Sequence, residues 1–155
     1  MNNTEKTYIN FVLEAEQRYN THEVRVSLET AKMLQKAGFD WECECAILPA
    51  SLMADKAYHY NHGGSHNYND KETYPFEIYS APTLAVAQKW LREAKGMHIY
   101  VKPCDIYNEQ IESWSSRLFY KGNDIIVRGG AFGSYEDALE AGIQKCLTIL
   151  LEEKK

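Results

Sequence analysis

The stretch from Ala81 to Gly96 limits the fold more than any other part of the chain. Leu84, Ala87, Trp90, Leu91 and Ala94 recur there at three- and four-residue spacing, with Gln88, Lys89, Arg92 and Lys95 opposite. That is the period of a helix with one apolar stripe. Its borders are also written locally. Pro82 suits a first turn, where a missing N–H is no loss, and Gly96 followed by Met97 supplies a left-handed stop with an apolar residue folding back. A helix over 83–95, anchored in a core by Trp90, is the expectation around which the rest of the chain is read.

The same punctuation recurs. Ser27 reads as the N-cap of a helix over 28–37, with Leu28, Ala31 and Leu34 inward, and Gly38-Phe39 repeats the glycine-then-apolar stop. Ser134 caps a last helix over 135–152, with Asp137 where Glu or Gln normally completes a capping box. Ala138, Leu139, Gly142, Ile143, Cys146, Leu147 and Leu150 share one side of it, and Gly142 marks a close approach to a sheet. Tyr8, Phe11, Val12, Ala15 and Tyr19 fit a further helical stripe over 7–19.

Strand signals lie between these helices. Residues 97–103 place Ile99 and Val101 on one face and His98, Tyr100 and Lys102 on the other, with Pro103 as terminator. A second strand over 113–120, a turn at 121–124 and a third strand over 125–128 complete a hairpin. The alternation over 43–48, closed by Pro49, reads as an edge strand. Residues 55–79 lack apolar periodicity, are rich in turn formers and read as a long polar loop. The expected class is α+β: a three- or four-stranded antiparallel sheet packed with helices, its C-terminal half α-β-β-β-α over 81–152. One domain spanning 1–155 is expected, with an N-terminal helix and turn over 1–26.

Composition bounds what such a chain does. At 155 residues and 45% hydrophobic content it can bury one core, and its net charge of −5 argues against a general electrostatic grip on nucleic acid. No apolar run approaches the roughly 20 residues that span a bilayer, and the start from Met1 to Lys6 has no apolar core. A cytoplasmic protein without membrane contact is expected. Cys43, Cys45, Cys104 and Cys146 then read as reduced thiols.

From Pro82 onward the order of helix, three strands and helix resembles that of double-stranded-RNA-binding domains in topology. The entry Ser134-Tyr135-Glu136-Asp137-Ala138-Leu139-Glu140-Ala141 resembles the end of HicB-type antitoxin domains. The first resemblance implies a basic cluster at the start of the last helix, but Glu136, Asp137 and Glu140 stand there and repel phosphate. Three longer blocks, 27–39, 81–99 and 134–143, resemble a group of small proteins of prophages and mobile elements of gut bacteria. That resemblance implies a phage or mobile-element accessory protein and carries no activity with it.

Four candidate sites follow from residue chemistry. His59, His62 and His66, flanked by Asp55 and Asp70 with Cys43 and Cys45 upstream, combine imidazole and thiolate in a way that suits zinc. Their spacing matches no standard zinc motif, and the expectation is a solvated loop without cofactor. Cys45 or Cys104 beside a loop histidine or His98 would serve nucleophilic catalysis, and Gly129-Gly130-Ala131-Phe132-Gly133 an anion, with a plain connection as the favoured reading of the glycines. The strongest binding candidate is the outer sheet face, where alternation places Tyr100, Lys102, Arg117, Phe119 and Arg128. Stacked rings among cations would suit bases or a nucleotide, while the favoured alternative has the first 50 residues covering that face. The leading functional expectation is a non-enzymatic module that binds a protein partner or itself, with nucleic-acid binding second and a metal-dependent enzyme third.

Overall fold

Each helix of the described residues forms where a capping side chain meets an apolar period. The computed structural model describes residues 23–49, 57–60, 63–128 and 131–155, with backbone alone for 57–60. Helix α1 spans Leu28–Ala37, α2 Leu84–Lys95 and α3 Tyr135–Glu153. Six strands accompany them: β1 (Ala46–Pro49), β2 (Ala57–Tyr60), β3 (Tyr79–Ser80), β4 (His98–Tyr107), β5 (Gln110–Tyr120) and β6 (Asn123–Ile126). The helix expected over 7–19 lies outside the described residues, as do Asp55, His62, Gly129 and Gly130.

The three N-caps are Ser27, Thr83 and Ser134, whose hydroxyls accept from the N–H of Thr30, Val86 and Asp137. Thr83 being the cap, Pro82 stands one position before it rather than in the first turn, and its carbonyl accepts from Val26 N at 3.1 Å. Gly38, at φ 91°, donates to Gln35 O while Phe39 N donates to Leu34 O, the paired closure that lets a glycine end a helix. At the end of α2 both Gly96 and Met97 donate to Leu91 O. The buried stripe of α2 is Leu84, Ala87, Trp90 and Leu91; Ala94, expected to belong to it, is exposed in the last turn. Trp90 is 1% exposed and meets Phe39 edge-on at 5.4 Å between ring centroids, so the first two helices share an aromatic anchor.

The strands form two antiparallel three-stranded sheets, ordered β2-β1-β3 and β4-β5-β6. Class and C-terminal α-β-β-β-α order are those expected, and the first sheet is additional. In it β1 is the central strand, not an edge, because Pro49 occupies the last pair, opposite Ala57, where a missing N–H costs the ladder nothing inside. β2 itself lies within the segment expected to be loop. In residues 63–79 of that segment polar side chains supply much of the order and leave no apolar period to read. Asn69 donates to Phe39 O and accepts from Gln35 Nε2 and Ser80 N, while Tyr68 is fully buried with Cys43, Ala46 and Ile78.

The second sheet carries the main core on one face. Ile99 and Leu118 pair across β4 and β5 and are buried with Met97, Leu139, Ile143 and Leu147 beneath α2 and α3. α3 comes closest at Gly142, where an added Cβ would stand 2.5 Å from Ser116 Oγ and 2.7 Å from Ile99 Cγ2. α1 packs against α3, and their junction is polar. Glu140 Oε1 accepts from Ser27 N and from Thr30 Oγ1, both at 2.7 Å. A carboxylate from α3 thus completes the capping box of α1, the position three residues after the cap being Thr30.

Lys121 and Gly122, both at positive φ, form the two-residue turn between β5 and β6, and Asn108 with Glu109 form the one between β4 and β5. Pro103 does not end β4. The strand is a sheet edge, which tolerates proline, and it runs on to Tyr107 through two compensating irregularities, an extra residue at Cys104 and another at Glu112. β4 and β5 therefore extend past β6 as a two-stranded arm whose residues from Cys104 to Glu112 are all exposed.

Candidate functional site

Register decides which residues share the outer face of the second sheet. Paired residues of antiparallel strands point the same way, so His98, Phe119 and Asp124 form one row and Tyr100, Arg117 and Ile126 the next. Lys102 with Ser115 begins a third row, toward which Arg128 leads from the end of β6. Tyr100, Phe119 and Ile126 are between 42% and 61% exposed. The helices lie on the other face, α1 against α3, so the cover expected from the first 50 residues does not come from α1. Tyr100, Lys102, Phe119 and Arg128 stand on the exposed surface, with Arg117 half-buried between them.

The charge of Arg117 is cancelled from within the face. Arg117 donates from Nε to Asp124 Oδ1 at 3.1 Å and from a terminal nitrogen to Oδ2 at 2.7 Å, a two-pronged pair across the diagonal of the sheet. Tyr100 donates its hydroxyl to the same Oδ1 at 3.0 Å. Partial desolvation, then this bond, holds the phenol above its ordinary range, so Tyr100 stays a neutral donor. An arginine held this way offers little to a phosphate, which leaves Lys102 and Arg128 as the exposed cations of the face.

The arm adds the other half of the surface. Ile106, Tyr107 and Ile111 are between 44% and 67% exposed, and Ile106 lies opposite Ile111 in register. The arm also carries Asp105, Glu109 and Glu112 with no basic residue from Pro103 to Glu112. Sequence reasoning missed this surface because it ended the strand at Pro103; the signal available was the run of apolar residues at 106, 107 and 111 around Asn108.

Of the histidine and cysteine candidates, Cys43 and His66 are paired backbone to backbone, while His62 lies outside the described residues. His66 is held by backbone bonds to Cys43 and by its Nε2 at 2.9 Å from Gly63 O, and His59 stands opposite Ile47 in β2. Among the described residues no three His, Cys, Asp or Glu side chains are grouped to hold a metal ion. All four cysteines carry thiols. Burial raises Cys43 above the ordinary thiol range and pushes Cys146 up to about 12, which makes both poor nucleophiles. Cys104 and His98 occupy one strand six positions apart, about 20 Å of extended chain. Of the glycine-rich segment, Phe132 exchanges backbone hydrogen bonds with Trp114 and so prolongs the sheet. Among the described residues no helix is long and apolar enough to cross a membrane.

No family model, curated protein or solved structure matches this chain.

Proposed function

We propose that the chain is a non-enzymatic protein-binding or self-associating module, an accessory protein of a phage or other mobile element, whose contact surface is the outer face of the second sheet together with its arm. The observation that carries this reading is the exposure of Tyr100, Phe119 and Ile126 around an arginine already neutralised by Asp124. Aromatic rings and an aliphatic side chain around a neutralised arginine suit the centre of a protein interface, where lysine and carboxylates are depleted. Nucleic-acid binding would rest on Lys102 and Arg128 alone, in a chain of net charge −5.

The test is the size of the complex formed by the full chain in extracts of cells that express it. The wild type should elute as a species larger than one chain, unchanged by nuclease, and the double variant Phe119→Ser, Ile126→Ser should elute as a folded monomer. A monomeric wild type, or a larger species that collapses with nuclease, would refute the proposal.

A further inference from the structure

The arm and the sheet face belong to one surface but cannot meet within one molecule, because the arm continues the strand direction away from the rows at Tyr100 and Phe119. Two-stranded ribbons with both faces in water are marginal, and this one exposes Ile106, Tyr107 and Ile111. Its charge is entirely acidic, whereas the exposed cations of the face, Lys102 and Arg128, lie beside its apolar centre. One patch of the chain is therefore apolar and acidic, and another apolar and basic.

We infer that the occupant of this surface is a second copy of the same chain, in a two-fold dimer where each arm lies across the other copy's sheet face. The inference rests on the reading of this face as a protein-binding surface and names the partner. Complementarity of charge carries it: Glu109 and Glu112 of one copy come to Lys102 and Arg128 of the other, and two-fold symmetry makes the same contact twice. The area is adequate. Ile106 and Ile111 lie on one side of the ribbon and Tyr107 on the other. Five large side chains, each roughly half exposed, therefore offer on the order of 500 Å² per copy, and the backbone and charged side chains around them bring this toward the ~800 Å² per partner of a standard interface.

The inference is tested by sedimentation velocity on the purified full chain and on two charge-reversed variants, Glu109→Lys with Glu112→Lys and Lys102→Glu with Arg128→Glu. All four positions are exposed, and circular dichroism establishes that each variant is folded. The wild type should dimerise on concentration. Each variant alone should dimerise at least roughly tenfold more weakly, since its arm and face then carry like charge, and the equimolar mixture should regain a heterodimer because both contacts are again of opposite charge. A wild type that stays monomeric overturns the dimer, as does a mixture of folded variants that stays monomeric, or variants that dimerise like the wild type. A monomeric purified chain that still forms a nuclease-resistant complex in extracts would sink the dimer alone and leave the protein-binding reading standing.

Discussion

Gly142→Ala sets two effects of opposite sign against each other, and the structure decides which wins. Alanine is the better helix former by about 1 kcal/mol in the middle of a helix, and α3 runs unbroken from Tyr135 to Glu153. Against this, the new methyl would stand 2.5 Å from Ser116 Oγ and 2.7 Å from Ile99 Cγ2. The serine hydroxyl can turn aside, but a β-branched isoleucine in a strand is stiff at its first torsion and buried beneath the helix. Overpacking of this kind costs roughly 1–3 kcal/mol, so the net expectation is a loss of about 0–2 kcal/mol. Urea and thermal unfolding monitored by circular dichroism measure it, at about 2–4 °C of melting temperature per kcal/mol for a chain of this size. Ser116→Ala removes one of the two contacts and a buried hydroxyl with no protein partner, so the glycine substitution should cost roughly 0.5–1.5 kcal/mol less in that background. A stabilised Gly142→Ala single variant would mean that propensity alone operates and that α3 does not approach β4 and β5 at this point.

Trp90→Ala should lower stability by roughly 3–5 kcal/mol, since the ring is buried against Phe39; an unchanged unfolding curve would place it outside the core. Glu140→Ala removes the acceptor of the Ser27 N–H and one partner of the Thr30 hydroxyl, which keeps Ser27 Oγ and Gln144 Nε2. It should cost about 0.5–2 kcal/mol in urea unfolding, with no loss excluding the cap supplied by α3. Asp124→Asn should release Arg117 and give the chain a salt-sensitive retention on heparin that the wild type lacks; equal retention would show that the pair does not mask the arginine. Glu153, held below the ordinary carboxylate range by hydrogen bonds from Lys121 and then Tyr120, contributes stability that is present above its unfolded value. That contribution is lost as pH falls through the folded value, and carboxyl chemical shifts should titrate at a lower midpoint than in a Lys121→Ala variant.

What could be read from the sequence follows the range of the forces involved. The three described helices are legible from their apolar periods, with caps read at Ser27 and Ser134 and stops at Gly38 and Gly96, although Thr83 as the cap of α2 is not. Gly142 is legible because a glycine inside a helix needs a reason. β2 was not, since Ala57-Tyr58-His59-Tyr60 has no local signature and becomes a strand only by pairing with β1. Pro103 misled because a proline ends a central strand but not an edge one. Of the five residues expected on the outer face, Tyr100, Lys102, Phe119 and Arg128 are indeed exposed, yet the partner of Arg117 could not be foreseen. Asp124 reaches it across a diagonal that exists only once the register of β5 and β6 is fixed. The alternation that places side chains on a face says nothing of which charges cancel there.

The outer face is tested most directly by photocrosslinking in cells that express the full chain, with a photoreactive residue at position 119 and, as control, at the exposed Ala85 on α2. Protein adducts should form at 119, resist nuclease and be absent at 85. Equal adducts at both positions, none at either, or adducts at 119 that nuclease removes would contradict a protein-binding face.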